Sequence, residues 1–421
     1  MKSPITQKIP WRIQAGVYGA AAFSNTIPNL GWPVIPVWLW TLGVPDWLIG
    51  ISIGCRHIGP MLFAIHGGAL IDRLGARRVM IFLALVGAIV PLLYPIQPFI
   101  WLIIIFQIVS GLADALNWVG AQTYVSRVMK GDPKYTGRMS FCTRLGLLTG
   151  PACSGFAMDY FGPWGGFGCI SIWSMGILFS VLFLPPDLDQ GTDYKKLENG
   201  KLFSASQILP RFSDYLATFK LLIMPAILFV MAMSFLRHIG GGVQASFFSV
   251  HLKDIGISAT TIGVLISING AFGLIGSLAT APILRFIKPH TTLLIMVIVS
   301  IACIAITPIL GNSLDFLLLF SGGRGFALAA SLVILISMIA QYTSPEMQGK
   351  AMGLRVTVNQ MAWFVAPIIM GFSAESFGRE NSFYIMGLTT IAFIVFLGVW
   401  AKWRCAFDTG LKRKPKSSDN L

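Results

Sequence analysis

A polar stripe inside an otherwise apolar segment holds the residues with the clearest potential for chemistry. Gln107, Gly111, Asp114 and Asn117 recur at helical spacing, with Trp118 beside them. Asp114 is the acid that lies furthest from either end of its segment, and a charge at the centre of a bilayer costs at least about 2.5 kcal/mol. Asp114 is therefore a candidate for carrying a proton, or for a purely structural ion pair with an arginine.

Five arginines also lie inside apolar segments, which is an unusual number. They are Arg56, Arg144, Arg237, Arg324 and Arg355. We expect Arg355, and less easily Arg144, to extend to a membrane surface, because a long side chain can reach water from near a helix end. Arg56, Arg237 and Arg324 are deeper and should line one central cavity. Such a cavity would attract carboxylates or phosphates and repel lipophilic cations.

Two segments with further polar side chains are expected to be broken helices. Asn29 and Trp32 lie among three prolines near the start of the chain, and Gln244 follows the glycine triplet Gly240–Gly242. Interrupted membrane helices are tolerated where they line a cavity. When they occur at corresponding places in two halves, they indicate a central binding site. We therefore add Asn29, Trp32 and Gln244 to the candidate site.

Two histidines, His57 and His238, each adjoin a deep arginine. A neutral histidine on a packing face is one interpretation. The other is that one of them carries a proton, as the usual pKa range of histidine allows. Trp118 and Trp363 are candidates for contact with an apolar part of a ligand.

Composition places these residues in a membrane. Apolar residues make up 55% of the 421 residues and charged residues only 11%, and the mean hydropathy is +0.73. A soluble domain has about 25% charged residues, and a membrane helix needs about 20 apolar residues. The segments lack the alternation of a barrel. Twelve spans are predicted: 11–40, 46–70, 77–97, 98–128, 137–161, 165–184, 221–251, 258–284, 289–311, 314–341, 348–376 and 380–402.

The net charge of +14 is distributed as membrane topology requires, and not as in a nucleic-acid-binding protein. With the amino terminus inside, the outer loops hold only Lys253 and Arg379 of the 31 Lys and Arg residues. By the positive-inside rule, both termini are cytoplasmic, and the basic tail contacts anionic lipid. We expect an integral protein of the inner or plasma membrane, with no cleaved signal peptide.

The sequence gives no support for an enzyme or a metalloprotein. Its six cysteines lack metal-ligand spacing, and it contains no phosphate-binding loop, zinc-protease motif or nucleophile elbow. We therefore expect no catalytic residue, metal or cofactor, and no ATP-driven pump formed by this chain alone.

The sequence divides into two halves that share a repeated motif. Residues 185–220 form a long polar stretch between an amino-terminal bundle (1–184) and a carboxy-terminal bundle (221–402), and a basic tail follows (403–421). Pro151-x-x-x-Gly155-Phe156-x-x-Asp159 recurs as Pro367-x-x-x-Gly371-Phe372-x-x-Glu375. Six spans between the copies give both the same orientation, which predicts parallel repeats, an all-α protein of two six-helix bundles.

A loop between the second and third spans has a distinctive pattern, which we call the latch loop. Its defining residues are Gly68, Asp72, Arg73, Gly75, Arg77 and Arg78. This G-x-x-x-D-R-x-G-x-R-R pattern resembles the loop between helices two and three of the major facilitator superfamily. The resemblance covers essentially the whole chain. It implies a transporter in which the loop holds the two bundles together on the cytoplasmic side.

The fifth span resembles the glycine-proline motif of proton-linked antiporters in that superfamily. The matching residues are Gly137, Gly146, Gly150, Pro151 and Gly155. Generic packing of small residues is the alternative explanation. The chain also departs from the family. Gln107 stands where many proton-coupled relatives have arginine, and the first span lacks the acid of many cation exporters.

These observations predict a secondary active transporter that works by alternating access and exports a small or medium organic anion, such as a carboxylate-bearing metabolite, siderophore or drug, in exchange for protons. Two alternatives remain within the fold, an efflux antiporter for neutral or cationic drugs and an anion–proton symporter. A non-transporting receptor is the alternative from another class. The expected partners are a small-molecule substrate, protons and membrane lipid, without nucleic acid, and we expect a monomer.

We predict that Asp72→Asn greatly reduces transport while expression stays near normal. The reason is that an uncharged side chain stabilises a helix N-terminus less than a carboxylate does. Transport in membrane vesicles, normalised to the amount of protein, measures the effect. Normal transport by the variant would remove the proposed role of the latch loop.

Overall fold

The computed structural model describes residues 9–63, 71, 75–96, 99–129, 133–184 and 220–404. Within them the chain is helical and has no strand. The helices are α1 (Trp11–Gly31), α2 (Ile35–Thr41), α3 (Asp46–Cys55), α4 (Ala76–Ile96), α5 (Ile100–Val128), α6 (Pro133–Leu182), α7 (Pro225–Val243), α8 (Ser249–Asp254), α9 (Ala259–Ile283), α10 (Pro289–Ala305), α11 (Thr307–Leu310), α12 (Leu314–Tyr342), α13 (Pro345–Phe377) and α14 (Arg379–Trp403).

These helices confirm an all-α membrane protein with twelve spans in two six-helix bundles. Among the described residues, eight helices are long and apolar enough to cross a membrane. One of them, α6, contains the fifth and sixth spans, which meet at Gly162, where φ is 62°. The first span is α1 followed by α2, and the seventh is α7 followed by α8. Most of the latch loop, including Gly68, Asp72 and Arg73, lies outside the described residues, as do 185–219 and 405–421. The boundaries of the two bundles therefore stay predictions.

The expected helix breaks are only partly correct. The first span does break at Trp32–Val34, between α1 and α2. The expected break at Gly240–Gly242 is wrong, because the triplet is α-helical and a π-helical turn follows at Gln244–Phe248. The glycines of the triplet instead allow side chains of neighbouring helices to pack closely against α7. A Cβ at Gly241 would lie 3.0 Å from the ring of Trp363. A break that the sequence did not predict separates α3 from the next helical residues, at Arg56 and His57.

The repeated motif brings the two bundles into close contact at one end of the molecule. A Cβ on Gly155 of α6 would lie 2.1 Å from the carbonyl oxygen of Ala259 in α9. A Cβ on Gly371 of α13 would lie 2.6 Å from the carbonyl oxygen of Asp46 in α3. Only residues without a side chain permit this backbone approach. Each copy of the repeat therefore packs on a helix of the opposite bundle.

The acids of the repeat cap those same helices. The Asp159 carboxylate accepts the backbone N–H groups of Ala259 and Thr260, at 3.0 and 2.6 Å. Glu375 accepts the N–H of Asp46 at 3.1 Å. Carboxylates at helix N-termini satisfy free N–H groups and are favoured by the helix dipole. We call this end of the molecule, defined by Asp46, Asp159, Ala259 and Glu375, the closed end.

An arginine adds ion pairs at the closed end. Arg379 Nε lies 2.8 Å from the carboxylate of Asp46, and its Nη1 lies 2.9 Å from that of Asp254. At the opposite end, parts of α6 and α13 have no close neighbour. A Cβ on Gly137, Gly349 or Gly353 would have no atom within 4 Å. The bundles therefore meet tightly at one end and leave space near the other.

We predict that Asp159→Ala opens the closed end, because each helix cap stabilises by about 1 kcal/mol and its loss shifts the equilibrium roughly fivefold. Spin labels on Leu42 and Asn381, both exposed at this end, should report a larger fraction of long distances. Glu380→Gln is the control, since this exposed acid lies in the first turn of its own helix, α14, and accepts no hydrogen bond from another helix among the described residues. An unchanged distance distribution in Asp159→Ala would contradict a role for the cap.

Candidate central binding site

The polar stripe of α5 meets the helix break that follows α3. Arg56 forms a salt bridge with Asp114 through Nη2, and its Nη1 donates to Gln107 Oε1 at 3.0 Å. The three side chains are largely buried, and Asp114 is 6% exposed. Arg56 follows the C-terminus of α3, where a cation is stabilised by the helix dipole. Asp114 thus has a counterion that compensates part of the cost of its burial.

Gly111 makes this pairing possible. A Cβ at position 111 would lie 1.8 Å from the carbonyl oxygen of Arg56. The backbone of α5 therefore approaches the Arg56 backbone directly, and this places the guanidinium between Gln107 and Asp114. The glycine of the stripe is a packing requirement of the ion pair.

A cavity of about 430 Å³ adjoins the ion pair. Its lining includes Asn25, Arg56, His57, Asp114 and Trp118, and also Phe63 and Gly353 nearer the end opposite the closed end. We call it the larger cavity. Most of the other lining residues are apolar. It therefore combines one buried ion pair with apolar walls, as ligand pockets commonly do.

An aromatic cluster lies where the two bundles meet. Trp363 of α13 stacks on His57, with ring centroids 5.3 Å apart, and lies 5.7 Å from Trp32. His57 Nδ1 also lies 2.9 Å from Gln360 Oε1. Because Trp363 belongs to the second bundle and the other two rings to the first, this cluster joins the bundles at the centre of the molecule.

His238 is fixed as a neutral imidazole by its two contacts. Its Nδ1 lies 2.7 Å from the carbonyl oxygen of Ser234, which can only accept, so Nδ1 bears the hydrogen. Its Nε2 lies 3.0 Å from Arg237 Nη1 and therefore accepts. A second proton on the ring would remove this acceptor and place two cations in contact. This geometry favours the packing interpretation of His238 over a proton carrier.

Arg237 and Arg324 are buried cations with neutral partners. Arg237 donates from Nε to Ser331 Oγ at 2.9 Å and from Nη2 to the Leu328 carbonyl at 3.1 Å. Arg324 donates to Gln244 Oε1 and to the Gly240 carbonyl. Neither has a carboxylate within ion-pair distance among the described residues. Burial of such charges is costly unless a counter-ion balances them.

A second cavity, of about 210 Å³, lies beside these cations. We call it the smaller cavity. Its polar and aromatic lining residues are Asn29, Trp32, Arg144, Arg237, His238, Gln244, Asn269 and Trp363.

The expectation that Arg56, Arg237 and Arg324 line one cavity is wrong. Arg56 lines the larger cavity and Arg237 the smaller one, whereas Arg324 lines neither. The physical reason is that Trp363, stacked on His57, stands between the two cavities, while Gln244 and the Gly240 carbonyl hold the Arg324 guanidinium. Of the stripe, Gln107 and Asn117 are buried within the bundle and line neither cavity.

Sequence reasoning missed several lining residues. Arg144 was expected to extend to the surface, yet it lines the smaller cavity with Asn269 of α9. Gln360 lines the larger cavity. Asn269 and Gln360 are isolated polar residues in apolar spans, a signal that could have identified them. The fifth-span motif packs as expected for small residues. A Cβ at Gly146 would lie 2.4 Å from Thr26 Oγ1, and one at Gly150 2.5 Å from Leu30.

Comparisons with known proteins agree with this architecture. A family model described as Major Facilitator Superfamily matches residues 16–303 and 230–419. Quinolone resistance protein NorA of Staphylococcus aureus is 22% identical over 379 residues, which cover 87% of this chain and 90% of that protein. Tetracycline resistance protein, class B, of Escherichia coli is 23% identical over 368 residues, which cover 83% of this chain and 85% of that protein.

Solved structures show the same fold. The nucleoside transporter NupG superposes with a TM-score of 0.72 at 12% identity, over 93% of this chain and 99% of that one. A bacterial homologue of the human lysosomal transporter Spinster, in an inward-facing and unoccupied conformation, gives 0.70 at 14% identity, over 97% and 100% of the two chains. At these identities the likeness concerns the fold alone.

We predict that Gly111→Ala destabilises the protein by about 1–3 kcal/mol, the usual cost of overpacking, because the new methyl group separates α5 from Arg56. Thermal unfolding in detergent measures the effect. Gly137→Ala is the matched control, since its methyl group meets open space and alanine favours a helix. Equal melting temperatures for the wild type and Gly111→Ala would contradict this account of the ion pair.

Proposed function

The chain belongs to the major facilitator superfamily, and we propose that this integral membrane transporter exports a small or medium organic anion in exchange for protons. The proposal rests on the positive charge of the central region. Arg144 and Arg237 line the smaller cavity, and Arg324 lies behind it, with no acid among the described residues of the lining. A carboxylate or phosphate compensates such charge through charge-assisted hydrogen bonds.

The proton site of the proposal is the Arg56–Asp114 pair. Asp114 faces the larger cavity, so water and protons can reach it from there. Protonation of Asp114 would cancel the salt bridge and leave Arg56 with Gln107 as its remaining partner. The ion pair is thus a two-state element that couples a proton to the arrangement of α3 and α5.

The proposed alternating access depends on a difference between the two ends of the molecule, because, within the described residues, the bundles are held together at only one of them. The caps and ion pairs of Asp159, Glu375 and Arg379 hold the closed end together. The positive-inside rule assigns this end to the outside, and both termini to the cytoplasm. The larger cavity, with Asp114 in its lining, then lies on the cytoplasmic side of the closed end. Export requires the closed end to open while the latch loop joins the bundles at the other end.

Exchange, rather than symport, is favoured by the antiporter-like motif in the first half of α6. Symport remains the alternative. It would result if an anion drew Arg56 away from Asp114, because an unpaired buried carboxylate has a higher affinity for a proton.

Efflux of neutral or cationic drugs is the second candidate function. It is favoured by the two relatives whose names refer to resistance to quinolones and tetracycline. The apolar walls of the larger cavity suit such compounds. The arginines around the smaller cavity favour anions instead, and transport assays with matched anionic and cationic compounds distinguish the two candidates.

We predict that Asp114→Asn abolishes accumulation of substrate driven by a pH difference, because an amide cannot exchange a proton at neutral pH. Proteoliposomes with an imposed pH difference, tested with labelled mono- and dicarboxylates and with tetraphenylphosphonium, measure this. Substrate exchange without a gradient should survive. Asp315→Asn, at an exposed acid on α12, is the matched control.

If Asp114→Asn still accumulates substrate against its gradient, the proton carrier lies elsewhere. His57 is then the next candidate, since both ring nitrogens of His238 are already engaged. Accumulation of tetraphenylphosphonium but of no carboxylate would replace the proposed anion exporter with the drug-efflux candidate.

A further inference from the structure

The smaller cavity has the composition of a site for one kind of ligand. In the part of the chain that the structure describes, its polar lining residues are two arginines, a neutral histidine and three amides, without an acid. Two tryptophans, Trp32 and Trp363, form an aromatic wall. A cavity that combines excess positive charge with flat apolar rings complements an anion attached to a flat ring.

The two arginines come from opposite bundles. Arg144 belongs to α6 in the first bundle, and Arg237 belongs to α7 in the second. Arg237 is held in place by Ser331 and the Leu328 carbonyl, so its position is fixed before a ligand arrives. Arg144 has no hydrogen bond or ion pair with any described residue, and it is free to turn toward a ligand. One fixed and one adjustable cation suit an anion that enters and leaves.

The amide Gln244 is also oriented for an anion. Its Oε1 accepts from Arg324, so its –NH₂ group is left as the donor. Gln244 is 3% exposed and lines the cavity. Arg324 therefore acts on the cavity through Gln244, by turning the donor side of the amide away from itself.

The volume limits the size of the ligand. Pockets for drug-sized molecules measure roughly 300–1,000 Å³, whereas the smaller cavity measures about 210 Å³. It has room for a single ring with one anionic group. The larger cavity lies on the other side of Trp363 and His57, and it keeps the proton site apart from this one.

We infer that Arg144 and Arg237 clamp a small aromatic carboxylate in the smaller cavity, with its ring against Trp32 and Trp363. This inference rests on the proposed function and deepens it. Because the clamp joins the two bundles, the bound carboxylate ties substrate occupancy to the distance between them. Arg144 then determines the preference for a carboxylate, and Arg237 provides the cation whose position is fixed before the ligand binds.

Equilibrium binding to the purified protein in detergent tests the inference without any proton gradient. Benzoate is the probe, followed by thermal shift and by quenching of tryptophan fluorescence. Benzamide is its neutral isostere, benzylammonium is the cation, and phenylphosphonate is the tetrahedral anion. We expect benzoate to bind best and Arg144→Gln to weaken it about 10- to 100-fold, the range for a hydrogen bond to a charged group.

The control is Arg285→Gln. Arg285 is an exposed arginine just after α9 that lines neither cavity, so its loss should leave benzoate binding unchanged. A second variant, Trp32→Leu, should weaken benzoate but not acetate, because it removes only the ring contact. Since Arg144 has no described hydrogen bond, Arg144→Gln should melt at the wild-type temperature, which separates loss of binding from loss of folding.

Three results would overturn the inference: equal benzoate affinity in the wild type and Arg144→Gln, equal affinity for benzamide and benzoate, or preference for phenylphosphonate. Proton-driven transport of other anions without benzoate binding would also remove it and leave the proposed function intact. Conversely, benzoate binding that depends on Arg144, without proton-driven transport of any compound, would refute the proposed function and support the site.

Discussion

The salt bridge between Arg56 and Asp114 is the contact on which the central region depends. A lone charge at this depth would be costly, whereas two opposite charges in contact offset part of that cost. The pair requires a helix break after α3, a glycine at position 111 and a polar partner, Gln107, for the remaining N–H group. Each of these three features is local in the sequence. Together they place Asp114 beside the larger cavity.

The other deep arginines show what the same constraint produces when no acid is available. Arg237 and Arg324 are satisfied by hydroxyl, amide and carbonyl groups, which fix their positions without cancelling their charge. Trp363 keeps this positive region apart from the ion pair. The two cavities therefore have different roles. The Arg56–Asp114 pair, which has no net charge, responds to protons beside the larger cavity, and the positively charged wall of the smaller cavity attracts an anion.

Much of the fold could be predicted because membrane spans, helix periodicity and the internal repeat are properties of sequence alone. The repeat predicted two bundles in the same orientation, but the sequence did not show that the repeated residues meet across the bundles or that Asp159 and Glu375 cap the opposite helices. The arrangement of the deep arginines could not be predicted. The position of an arginine along its span indicates its depth in the membrane. It does not reveal that a tryptophan from a distant span separates Arg56 from Arg237. The glycine triplet was also ambiguous, since glycine permits both a helix break and close packing.

Proton coupling at the ion pair requires that Asp114 changes its protonation state in the course of transport. Infrared difference spectroscopy on the purified protein, between alkaline and acidic pH, detects the carbonyl stretch of a protonated carboxylic acid. We expect such a band in the wild type, its absence in Asp114→Asn, and a change in its midpoint pH when an anionic substrate binds. A spectrum identical in the wild type and Asp114→Asn across the pH range would contradict proton coupling at Asp114, because the ion pair would then be a fixed structural element.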